Sequence, residues 1–106
     1  MSKLPKTNNK PLVQLPLTHP GEVLAEEMTT LSLSANALAR DLDVPPNRIS
    51  EILKGRRAVT ADTALRLARY FKTSAKFWMN LQTNHDLAQA EQENGLKIKE
   101  RVRVPS

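Results

Sequence analysis

Between positions 19 and 95, apolar residues recur three and four apart, the spacing of one face of an α-helix. Leu24, Met28 and Leu31 form the first stripe. It follows His19-Pro20-Gly21-Glu22, where proline suits a first turn whose N–H groups lack partners and Glu22 favours the positive helix end. This helix should run to about residue 30 or 31. Ser34 caps a second helix that turns Ala35, Leu38, Ala39 and Leu42 inward. Asp43-Val44-Pro45 breaks it, and Pro45-Pro46 opens a third with Ile49, Ile52 and Leu53 inward, ending at Lys54-Gly55 with the glycine as a left-handed cap. Thr60 caps a fourth, with Asp62 in its first turn and Ala61, Ala64, Leu65, Ala68 and Phe71 on its buried face. A fifth starts near Ser74, carries Phe77, Trp78 and Leu81 with His85 and Ala88 beyond them, and is expected to end at Gly95.

The two ends of the chain break this pattern. Residues 1–17 hold Pro5, Pro11 and Pro16 with Lys3, Lys6 and Lys10 and sustain no period, so they read as a flexible basic arm. After Gly95 the period changes to two: Leu96, Ile98, Val102 and Val104 alternate with Lys97, Lys99, Arg101 and Arg103. An isolated strand is unstable and no second strand is visible, so residues 96–106 are expected to be a basic tail or a single strand paired with a partner. The chain thus divides into an arm (1–17), a helical domain (18–95) and a tail (96–106).

The second and third helices form a constellation of their own. Two short helices joined by a tight turn, with a small residue at their crossing and a polar, basic outer face on the second, meet the requirement for a helix-turn-helix. Ala39 is the small residue, Asp43 holds the turn, Val44 plugs the core beyond it, and Ile49 anchors the second helix from below. The outer face then offers Pro46, Asn47, Arg48, Ser50 and Glu51 to base edges: Asn47 can pair with adenine, Arg48 can reach a guanine or a phosphate, and Glu51 can accept from cytosine. Lys54, Arg56 and Arg57, with Ser34 at the start of the preceding helix, are placed for phosphates. Phe77, Trp78 and Leu81 belong to the core or a dimer interface.

Charge and composition agree with this and narrow the alternatives. Sixteen Lys and Arg against eleven Asp and Glu leave the 106-residue chain at +5, a balance that favours polyanionic partners. With no cysteine, a thiolate metal site or cysteine nucleophile is excluded, and no Cys/His spacing supports a metal or cofactor. The only histidines are His19, at a helix start, and His85, far along the fifth helix, so no convergent acid, base and nucleophile suggests an enzyme. No apolar run approaches the roughly 20 residues that span a bilayer, and a cytoplasmic setting is expected.

Several blocks taken together resemble a known family: His19-Pro20-Gly21-Glu22-Val23-Leu24, Leu38-Ala39 through Ile49-Ser50, Leu53-Lys54-Gly55-Arg56-Arg57, residues 60–68, and Phe77-Trp78. Over residues 18–90 the chain is similar to the HigA-type antitoxins of the Xre (Cro/C1-like) helix-turn-helix class. The resemblance implies an all-α, five-helix lambda-repressor-like domain and a homodimer that binds double-stranded operator DNA of its own toxin-antitoxin operon. It also implies a protein partner, an mRNA-cleaving toxin of the HigB type, with operator readout at the start of the third helix. A stand-alone transcriptional repressor without a toxin would use the same DNA-reading face. Two residues depart from the class: Asp43 stands where glycine is frequent in the turn, and Pro45 replaces the usual polar cap.

Overall fold

The computed structural model describes residues 18–105. These residues form five α-helices: α1 (Pro20–Thr30), α2 (Ala35–Leu42), α3 (Pro46–Leu53), α4 (Ala61–Phe71) and α5 (Ala75–Arg101). The basic arm expected over residues 1–17 lies outside the described residues. Thr18–Thr83 forms one compact unit, and the residues from Asn84 onward belong to a second.

The helix starts follow the caps in the sequence. His19 Nδ1 accepts from Gly21 N at 2.9 Å while Glu22 accepts from His19 N at 3.3 Å, so α1 opens on a reciprocal cap. Ser34 Oγ accepts from Ala37 N at 3.1 Å, Thr60 Oγ1 from Thr63 N at 3.4 Å and Ser74 Oγ from Phe77 N at 3.0 Å. Only α3 lacks a side-chain cap, because Pro45 precedes it and Pro46 occupies its first turn.

The first four helices share one way of ending. Leu33 N bonds to Met28 O, Val44 N to Ala39 O, Arg56 N to Glu51 O and Thr73 N to Ala68 O, each closing a six-residue reversal at 2.8–3.1 Å. The residue at each reversal is left-handed: Ser32 (φ 55°), Asp43 (φ 60°), Gly55 (φ 73°) and Lys72 (φ 60°). Asp43 therefore performs the turn that glycine performs more often, since its short polar side chain tolerates this region.

The core of the first unit joins Leu24, Met28, Leu38, Ala39, Leu42, Ile49, Ile52, Val59, Ala64, Leu67 and Trp78. α3 packs on both α1 and α2, and α2 also meets α4. Gly21 makes the first of these contacts possible. A Cβ there would run into the carbonyl oxygen of Ile52 and stand 3.1 Å from Leu53 Cα, so only glycine lets α1 sit directly on the end of α3. Gln82 on α5 is buried and accepts from Val59 N at 2.7 Å, pinning the loop before α4.

Three expectations from the pattern are corrected. Leu65 is exposed and Leu67 takes its place inside, with Thr63 and Ala64, while Ala61 is also exposed. Ala64 and Ala68 fit both stripes, and the core takes the one containing Leu67. Leu31 lies just beyond α1, about half exposed, and Leu33 packs against the core instead. Most consequentially, α5 does not end at Gly95. It runs through it to Arg101, with no strand among the described residues. Gly95 keeps a helical backbone, because an interior glycine costs only about 1 kcal/mol relative to alanine, and Leu96, Lys97, Lys99, Glu100 and Arg101 are good helix formers. The alternation is real, but a strand with nothing to pair with loses to a helix that satisfies its own backbone.

Candidate nucleic-acid interface

On α3 the inward residues Ile49 and Ile52 are fully buried, which turns positions 47, 50, 51 and 54 to the opposite side. Asn47 and Lys54 are exposed, and Ser50 and Glu51 are half-buried. Pro46 adjoins them at the helix start. The structure therefore places Asn47, Ser50, Glu51 and Lys54 in one stripe. The Asn47 amide and the Lys54 and Arg56 side chains have no hydrogen bond or ion pair among the described residues, so their donors and acceptors face solvent. Ser50 Oγ donates to Asn47 O at 3.3 Å. Ser34 uses its oxygen as a cap acceptor and keeps its O–H as a donor.

Three of the expected contact residues, Arg48, Glu51 and Arg57, are already engaged in ion pairs. Arg57 approaches Glu51 Oε1 with both Nε (3.1 Å) and Nη2 (2.9 Å), so the acid on the stripe neutralises one of the cations beside it. Arg48 turns aside from the stripe and donates Nη1 to Asp62 Oδ2 on α4 at 2.9 Å. The same oxygen accepts from Arg66 Nε at 2.9 Å. Arg66 in turn donates Nη1 to the carbonyls of Leu42 (2.8 Å) and Asp43 (3.2 Å), capping the end of α2. Tyr70 adds a second tie between α4 and α2 by donating to Asp41 Oδ2 at 3.2 Å. α4 is thus tied to both helices of the motif.

This brace is what the sequence did not yield. Asp62 and Arg66 stand four apart on one helix, a legible pair. Their cross-helix partners, Arg48 and the turn carbonyls, lie 14 to 24 residues away and have no local signal. Of the trio assigned to core or dimer interface, Trp78 is fully buried, Leu81 is half-buried against the core, and Phe77 is 42% exposed. No group of three or more His, Cys, Asp or Glu side chains that could hold a metal occurs among the described residues. Among the described residues no helix is long and apolar enough to cross a membrane.

The brace has an electrostatic signature. The Asp62 carboxyl is held below the ordinary aspartate range, first by the hydrogen bond from Arg66 and also by that from Arg48, while partial loss of hydration pulls the other way. A carboxyl lowered on folding contributes stability that is complete above its unfolded value, ~3.9, and fades as the pH falls through the lower folded value. The Asp62 side-chain carbon, followed by NMR, should titrate with a midpoint below ~3.9. Arg66→Ala should move that midpoint upward more than Arg48→Ala does. A midpoint at or above the ordinary value would contradict the brace.

Comparison with known proteins gives this geometry its context. The helix-turn-helix family HTH_3 matches residues 24–78. Virulence-associated protein I of Dichelobacter nodosus is 53% identical over 81 residues, which cover 76% of this chain and 75% of that protein. An addiction module antidote protein of the HigA family from Coxiella burnetii has a TM-score of 0.81 at 49% identity, covering 83% of this chain and 97% of its own. The Pseudomonas aeruginosa antitoxin HigA, solved with the higBA promoter, has a TM-score of 0.81 at 43% identity over 83% of this chain and 97% of its own.

Proposed function

This chain belongs to the Xre (Cro/C1-like) helix-turn-helix family, and from that premise we propose that it is the antitoxin of a type II toxin-antitoxin pair, acting in the cytoplasm as a dimeric repressor of its own operon. It is a binding protein and not an enzyme. Its DNA partner is a double-stranded operator, and its protein partner is an mRNA-cleaving toxin of the HigB type. The observation that carries the reading is the α3 stripe, whose solvent-facing Asn47 amide stands beside cations on an exposed face. The similarity to an antitoxin solved with its promoter adds the operator as the specific target.

Within the proposal, Pro46, Asn47, Arg48, Ser50 and Glu51 meet the bases in the major groove. Ser34 at the start of α2, Lys54 at the end of α3, and Arg56 and Arg57 beyond it bind phosphates. One such helix covers only a half-site. A second protomer therefore doubles the interface with a palindrome whose halves lie about 34–36 Å apart, with exposed Phe77 and neighbouring Leu81 offered to that protomer.

Binding to the DNA upstream of its own operon, measured across a salt series, tests this. Asn47→Ala should erase the preference for operator over random duplex at one base pair per half-site. Lys54→Ala/Arg56→Ala should keep the preference but flatten the salt dependence by about 0.9 for each phosphate that the variant no longer neutralises. Wild-type binding no tighter to the operator than to random sequence would refute the DNA reading, and failure to co-purify with the product of the adjacent gene would refute the antitoxin reading.

A further inference from the structure

Asp62 lies on α4, outside the reading helix, yet one of its oxygens gathers two guanidinium groups. Oδ2 accepts from Arg48 Nη1 and from Arg66 Nε, each at 2.9 Å, and Arg66 Nη1 continues to the carbonyls of Leu42 and Asp43. A continuous run of hydrogen bonds therefore leads from the turn of the motif, through α4, to the guanidinium of Arg48 on α3. The Asp62 side chain is 58% exposed, and ion pairs this open to water add little to stability. What such a pair does achieve is orientation. Arginine is a long, multi-rotor side chain ending in a rigid planar fork of five donors. Anchoring one nitrogen restricts the directions in which the rest of the fork can point. With Nη1 on Asp62, the edge formed by Nε and Nη2 has no hydrogen bond among the described residues, and two parallel donors are what the O6 and N7 acceptors of guanine require.

We propose that Asp62 is a positioning residue for DNA recognition: it holds Arg48 so that the Nε/Nη2 edge meets a guanine, and so determines base preference without touching DNA. The inference rests on the proposed role of Arg48 as a base-reading residue. It separates two kinds of cation on the surface. Arg48 is pre-aimed through a second helix, while Lys54 and Arg56 are free to follow phosphates.

The test uses the full chain and operator duplexes in which each base pair is exchanged in turn, with wild type, Arg48→Ala, Asp62→Ala and the double variant. Asp62→Ala should lose about tenfold of its discrimination at one G·C pair in each half-site, the same pair affected by Arg48→Ala, with little change in affinity for random duplex. The double variant should be no worse at that pair than Arg48→Ala alone, because the two residues act as one unit. Tighter binding of Asp62→Ala to operator and random DNA alike, with preference intact, would mean that Asp62 only withholds a charge, and would overturn the proposal. Equal weakening on both DNAs with a lowered melting temperature would reduce Asp62 to a structural role and also overturn it. If Arg48→Ala shifts preference and Asp62→Ala does not, positioning fails while the base-reading role stands; if Arg48→Ala shifts none, that role fails and the proposal with it. Wild type without operator preference would defeat the functional reading itself and the proposal along with it.

Discussion

Replacing Trp78 with alanine is expected to lower the unfolding free energy by about 3–5 kcal/mol, a large part of the roughly 5–15 kcal/mol that a domain of this kind possesses. The indole is fully buried, lies 6.1 Å from the Phe71 ring and 5.2 Å from the Phe77 ring, and donates Nε1–H to Thr73 Oγ1 at 2.9 Å. Its removal opens a cavity and leaves the hydroxyl just after α4 without its donor. Because Trp78 is the only tryptophan, the urea transition has to be followed by circular dichroism. A destabilisation under about 1 kcal/mol would mean that the site collapses around the smaller side chain far better than buried aromatic sites do.

Gly21→Ala is the second large effect, and it reaches function as well as stability. The added methyl group meets the backbone of Ile52 and Leu53, which cannot rotate away as a flexible side chain would. Overpacking of this kind costs about 1–3 kcal/mol, and here relief requires α1 and α3 to separate. Since α3 carries the proposed reading face, the variant should lose operator preference even at temperatures where it remains folded. Thermal melts alongside operator titration check both halves. An unchanged melting temperature with unchanged operator affinity would show that the packing of α1 on α3 is softer than its geometry implies.

Gly21 also illustrates what a sequence can and cannot disclose. Its neighbours are readable: Pro20 in a first turn and Glu22 as a cap partner are local rules, as are Ser34, Thr60 and the Pro45-Pro46 start of α3. The reason for the glycine is not readable, because the atom it avoids belongs to a residue 31 positions later. The same division runs through the interface. The outward stripe at 47, 50, 51 and 54 follows from helical period once Ile49 and Ile52 are placed inside. Which of its charges are already paired depends on α4 and on the loop holding Arg57, and no local pattern reports that. Leu65 and Leu67 offer α4 two defensible inner faces, and only tertiary packing chooses between them. Gly95 misleads for a different reason, since a glycine stops a helix by adopting a left-handed turn, and in the middle of strong helix formers it has no cause to do so.

The four six-residue reversals that end α1 to α4 have a kinetic consequence. Each closes on itself and satisfies the end of its helix without waiting for a distant part of the chain, and the one at Asp43 also brings α3 into place beside α2. Closing short loops costs little chain entropy, and helical domains dominated by such near-neighbour pairings fold in about microseconds to milliseconds. The pair α2 and α3 is joined by the Asp43 reversal and packed directly on one another. The part of the protein proposed to recognise DNA is therefore also the part that the chain can reassemble soonest after it is unfolded.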